Sequence, residues 1–123
     1  MTKRSVDSAS LQVHDLAAQG VRLPLLEIGS PNIIDPAASW VRLDDVNGIG
    51  VFVSHFSGTS PWEKHGADEF LYMVRGEAKL TLVVDLGEVE RRLKQGCAFV
   101  VPKNVRHRLN APVPSILLSL TPT

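Results

Sequence analysis

Four side chains in this sequence are of the types that hold divalent metal ions: Glu63, His65, Glu69 and His107. Glu63 and His65 stand two residues apart, so extended backbone turns both to one face. Glu69 opens the apolar run Glu69–Arg75, where Leu71 and Met73 share its face. His107 lies within Val105–Leu109, with Val105 and Leu109 on its own face and Arg106 and Arg108 on the other. A carboxylate or imidazole on an otherwise apolar strand face is costly to bury alone. Two imidazoles and a carboxylate brought together are satisfied by a divalent metal, and this donor set suits Fe(II) with positions left open. Glu63 is then a fourth ligand, a base working beside the metal, or a rim carboxylate turned to water.

Strands must bring these residues together, and from Trp40 onward the sequence reads as β. Ile49–Ser57 alternates, with Ile49, Val51, Val53 and His55 on one face. In Glu77–Val84, Ala78, Leu80, Leu82 and Val84 alternate against Glu77, Lys79 and Thr81. Further runs are Trp40–Leu43, Cys97–Val101 and Ile116–Leu120, punctuated by Asp44-Asp45-Val46-Asn47-Gly48, Asp85-Leu86-Gly87 and Gln95-Gly96. Short strands at near-regular spacing, broken by Gly and Pro, predict an all-β sandwich or barrel. Closure would also protect so many apolar edges. Residues 1–9 are polar and small, and are expected to be disordered, with residues 10–123 forming a single domain. Leu11–Gly20 reads as a short helix or as a strand at Gln12–His14. Val21–Ile28 contains Pro24 and suits an edge strand, and Gly29–Ser39 reads as a loop.

The order and spacing of these residues resemble the cupin family. His65, three residues and Glu69, followed by Asp68-Glu69-Phe70-Leu71-Tyr72-Met73-Val74-Arg75-Gly76-Glu77, look like the family's first motif. Gly96, five residues and Pro102, then Lys103-Asn104-Val105-Arg106-His107, look like the second. Glu63 stands where the family has a first His, Asn104 where it has a Gly, and Asn110 one residue before the family's Asn position at Ala111. The leading Gly is shifted by one, at Gly58. The resemblance implies a small jelly-roll β-barrel with a central ligand cavity. It also implies a divalent metal held by His65, Glu69 and His107, with Glu63 within reach. Replacing a neutral imidazole with a second carboxylate shifts preference away from Cu toward Fe, Mn or Zn, with Ni possible.

The cavity walls are expected to be Val51, Val53, Leu71, Met73, Val105 and Leu109, with His55 either lining the pocket or satisfied in the core. Such an apolar cavity with few polar groups is the usual small-molecule site. No Lys or Arg is read as reaching it, so a phosphorylated substrate has no clamp. Trp40 and Trp62 are read as packing at the barrel ends or, as the minor reading, as a pocket wall, Tyr72 and Phe70 as packing against a partner chain or the outer sheet, and Cys97 as a small buried hydrophobe. The expected activity is that of a metal-dependent enzyme on a small oxygen-bearing molecule, dioxygenase-like first, isomerase or lyase next. The alternative is a non-enzymatic small-molecule binding or sensing cupin, with metal structural or absent.

Composition sets the remaining bounds. Hydrophobic residues make up 44% of 123, enough for a core. Lys plus Arg number 13, equal to Asp plus Glu, so the formal net charge is zero and neither a nucleic-acid nor a membrane partner is expected. A lone cysteine closes no internal disulfide. With no apolar leader or spanning run, the expected location is cytoplasmic. Leu11–Ser39 exceeds what a minimal barrel needs, and it is expected to pair with a second copy in a homodimer.

Overall fold

A computed structural model describes residues 6–31 and 34–122. The strands are β1 (Leu26–Glu27), β2 (Trp40–Val46), β3 (Ile49–Thr59), β4 (Glu69–Arg75), β5 (Glu77–Val84), β6 (Gly87–Lys94), β7 (Ala98–Val101) and β8 (His107–Thr121). A helix, α1 (Leu16–Arg22), precedes them. The strands join in one sheet that runs β1-β3-β8-β4-β7, with β2 added to β3, and β5 linking β6 to β8. This is the all-β jelly-roll barrel expected from the sequence.

The long strand β8 organises the barrel. Its first residues pair with β5, through Leu82↔His107 and Leu80↔Leu109, while its later ones pair with both β3 and β4. The register slips where Pro112 and Pro114 fall, between Gly58↔Ala111 and Phe56↔Ser115. Proline has no N–H to give a ladder, so the strand changes partners there at little cost. The core beneath is built from Leu71, Met73, Leu80, Leu82, Leu109 and Leu117.

Left-handed backbone closes tight turns between strands. Asn47 (φ 51°) and Gly48 (φ 78°) make the tight connection from β2 to β3. The expected turn cluster from Asp44 onward is thereby shortened, because β2 continues through Val46. Cys97 follows the Gln95-Gly96 turn and is exposed, not buried as its neighbours' alternation suggested. The reason is its place ahead of β7, where its N–H donates to the Lys94 carbonyl across the turn at 2.9 Å.

The N-terminal segment lies on its own barrel. Residues 1–5, part of the stretch expected to be disordered, lie outside the described residues; Ser8–Ser10 form a 3₁₀ turn capped by Asp7. Residues 12–14 are not a strand. The helix begins later, at Leu16, because Asp15 caps it: the Asp15 carboxylate accepts from Ala18 N–H at 3.0 Å. Helix α1 packs on β3, β8 and β4, and Gly20 allows it to approach Ile116 closely. Beyond it, His55 Nδ1 donates to the Leu23 carbonyl at 2.9 Å. Only Leu26–Glu27 of the expected edge strand forms, parallel to β3, and Pro36–Ser39 in the expected loop is a short 3₁₀ turn.

Gly58 has φ +93°, and a Cβ there would lie far inside contact distance of the Ile28 carbonyl oxygen. Gly29 has φ +90° but open space around it. Gly29→Ala should therefore lose only the strain of a left-handed Ala, about 1–3 kcal/mol. Gly58→Ala is expected to lose more, because it also pushes the β1 segment off β3. Urea denaturation of both variants checks this; equal losses would contradict the close approach.

Candidate metal centre

Two of the four candidate residues begin regular strands. Glu69 is the first residue of β4 and His107 the first of β8; they are 5% and 2% exposed. The other two lie on the connection from β3 to β4, which clips onto β8. Glu63 N–H donates to the His107 carbonyl at 2.8 Å and His107 N–H to the Glu63 carbonyl at 2.9 Å, an antiparallel bridge. Ser60 adds a bond from its N–H to the Leu109 carbonyl at 2.8 Å. Asn104, at φ 62°, donates its N–H to the His65 carbonyl at 2.7 Å, using the left-handed turn that the sequence allowed. On the outer side, the Arg106 and Arg108 guanidinium carbons lie 4.9 and 4.4 Å from the Trp62 ring centroid. These arginines, on the strand face opposite His107, stack on the tryptophan beside Glu63 and steady the connection.

Glu63, His65, Glu69 and His107 each offer one donor atom, and these atoms lie within 4.8 Å of one another. His107 Nε2 is 3.2 Å from Glu69 Oε1. His65 Nε2 is 3.4 Å from Glu69 Oε2 and 3.5 Å from Glu63 Oε2. His107 Nδ1 donates to the Val105 carbonyl at 2.9 Å, which fixes the ring and turns Nε2 toward the cluster. The Thr121 hydroxyl donates to Glu69 Oε2 at 2.6 Å.

Burial pushes the Glu69 carboxyl up, but the hydrogen bonds from His107 and Thr121 outweigh it and hold the group below its ordinary value. Burial likewise pushes His107 down, and its bonds to Glu69 and to the Val105 carbonyl raise it overall. The two directions describe one ion pair. His65 Nε2 is buried between the Glu63 and Glu69 carboxylates and makes no hydrogen bond. A divalent cation fits this donor set, since it would take the lone pair of that nitrogen and offset two carboxylates.

The cluster opens into a cavity of about 380 Å³. The side chains of Glu69 and His107 are at its buried end, while that of Glu63 is 52% exposed. Phe52, Phe56, Leu71, Leu109 and Leu117 form much of the wall, and Trp40 also lines it. Ser54, Ser60, Ser119 and Thr121 add hydroxyls, and no described Lys or Arg lines the space.

Of the wall residues expected from sequence, Leu71 and Leu109 line this cavity, and Val51, Val53, His55, Met73 and Val105 do not. The correction has one main cause. Both faces of β3 are covered, so its apolar alternation cannot tell inside from outside. Phe52 is paired with Ser119 and faces the cavity, whereas His55 is paired with Ile116 beneath α1. Met73 and Val105 pack within or against the core instead. Phe52 and Phe56, four residues apart in one phase of β3, were the available signal for the true wall. Leu26 and Ile28, brought in by β1, and Thr121, past the last motif, carried none.

The family model for the cupin domain matches residues 52–120. Solved structures share the fold. A cupin-2 domain containing protein from Shewanella frigidimarina is 21% identical, with a TM-score of 0.61 over 69% of this chain and 80% of that one. A protein from Neisseria meningitidis is 22% identical, with a TM-score of 0.61 over 88% and 97%. Hydroquinone 1,2-dioxygenase from Sphingomonas sp. TTNP3, solved with 4-hydroxybenzoate, is 20% identical, with a TM-score of 0.57 over 67% and 64%. No curated protein matches the sequence.

The ion pair fixes a pH dependence. Its Glu69 part is present above the ordinary 4.5 and is lost as pH falls through the lowered value. Its His107 part is present below the ordinary 6.5 and is lost as pH rises through the raised value. Chelator-treated protein is therefore expected to lose thermal stability as pH rises through the raised His107 value, with a flatter profile in His107→Gln. Metal affinity should rise over that same interval, because the proton leaves Nε2. Parallel slopes for stability and affinity would contradict the pairing.

Proposed function

The chain belongs to the cupin family, and on that premise we propose that it is a metal-dependent enzyme with dioxygenase-type activity on a small oxygen-bearing molecule. The observation that carries this reading is the buried His65 Nε2, which makes no hydrogen bond. It lies among Glu63, Glu69 and His107 at one end of a mostly apolar cavity. A divalent metal there would bind substrate oxygens and, as Fe(II), would supply the redox partner that dioxygen chemistry requires. With two carboxylates and two imidazoles, Fe(II), Mn(II) and Zn(II) suit the site better than Cu(II).

The chain's own residues supply the rest. Phe52, Phe56, Leu71 and Leu117 keep water from the buried end and fit an apolar substrate body. Ser54 and Ser119 offer hydroxyls to orient polar substituents. Without Lys or Arg in the described lining, nothing in the wall would neutralise a phosphate, which favours substrates that place their charge on the metal. Glu63, the most exposed of the four, is suited to take a proton from a substrate hydroxyl entering beside His65. A solved neighbour is a dioxygenase acting on hydroquinone, which supports the choice of reaction class.

Anaerobic loading with Fe(II), followed by oxygen-electrode measurements on small enols, catechols and diketones, tests the proposal. Uptake of O₂ that needs both the metal and one of these compounds is the expected result. Tight retention of a small molecule without O₂ uptake by any of them would favour a binding or sensing protein instead. The role of Glu63 has its own check. Glu63→Ala is expected to keep metal within about tenfold of wild type, while His65→Ala loses more. Glu63→His should restore tight binding with a changed metal preference.

A further inference from the structure

We propose that Thr121 is a positioning residue that makes Glu69 bind metal through one oxygen only; the inference rests on the metal reading above. Thr121 ends β8 and lines the cavity. Its hydroxyl donates to Glu69 Oε2 at 2.6 Å, a short charge-assisted bond in a partly buried place. Glu69 Oε1 carries no hydroxyl and sits 3.2 Å from His107 Nε2. Oε2 also has His65 Nε2 at 3.4 Å, so this oxygen is the more crowded of the two.

An unrestrained carboxylate beside a divalent ion can swing both oxygens onto it. A hydroxyl proton held on Oε2 competes for that oxygen and fixes the plane of the carboxylate. A β-branched Thr has few side-chain rotamers, so its hydroxyl is a stiff anchor. The consequence bears on chemistry: a chelating carboxylate would fill one more coordination position, and a pinned one leaves that position for substrate. Partners that orient metal ligands in this way commonly change affinity by about 10–100-fold when removed.

Cobalt(II) is the probe. Thr121→Val keeps the branched shape without the hydroxyl, and Thr121→Ser keeps the hydroxyl. Thr121→Val is expected to change Co(II) affinity by about 10–100-fold and to change the visible cobalt spectrum, while Thr121→Ser keeps the wild-type affinity and spectrum. Wild-type affinity and spectrum in Thr121→Val would overturn the inference. Should that variant fail to fold, infrared spectra of wild-type protein labelled with ¹³C in glutamate carboxylates decide the matter. Widely separated symmetric and antisymmetric stretches on metal loading are expected for one-oxygen binding, and closely spaced ones would overturn it. Wild-type protein that takes up no cobalt would sink the metal reading itself, and the inference with it.

Discussion

The whole site turns on a buried carboxylate that cannot stand alone. Glu69 is 5% exposed and faces a second carboxylate, two imidazoles and a hydroxyl. Burial alone would push its proton on, yet its bonds to His107 and Thr121 hold it ionised. Without metal, Glu69 favours a proton on His107 as the compensating charge; a metal ion there would supply that charge instead, and the Nε2 proton would have to leave. The same geometry would then serve two partners in turn, and His65 Nε2, which makes no hydrogen bond between the Glu63 and Glu69 carboxylates, would gain a ligand bond from the second.

The barrel exists in a form that makes this convergence possible. His107 and Thr121 stand at opposite ends of a strand of 15 residues, and both touch the one carboxylate. A straight strand of that length would separate them by roughly 45 Å, at about 3.3 Å per residue. β8 must therefore curl around the cavity. The partner change from β5 to β4, with the slip at Pro112 and Pro114, is how it does so. The connection carrying Glu63 and His65 is then clipped to the start of β8 by backbone bonds, so the donors of Glu63, His65 and Glu69 close on one point with that of the distant His107.

Much of this was legible in the sequence, for physical reasons. Glu69 and His107 break otherwise apolar strand faces, and a polar residue in such a place needs an explanation. The spacing from His65 to Glu69 and from Gly96 to His107 pointed to the fold, and the barrel followed. The cavity wall was less legible. Alternation in β3 marks two faces without saying which is inside, and α1 covers the outer one, so Val51, Val53 and His55 look as internal as Phe52 and Phe56 do. Thr121 gave no local sign, because its meaning lies in Glu69, 52 residues away. Leu26 and Ile28 reach the cavity only through a two-residue parallel pairing, too short to leave a pattern.

The most direct measurement of the central claim is anomalous diffraction at the metal absorption edge, from crystals of protein reconstituted with Fe(II), Mn(II) or Zn(II). The account expects one anomalous peak per chain, bonded to His65 Nε2, His107 Nε2 and a Glu69 oxygen, at about 2.0–2.2 Å where the metal is Zn(II). A peak elsewhere on the molecule, or crystals of fully reconstituted protein with no peak, would contradict it.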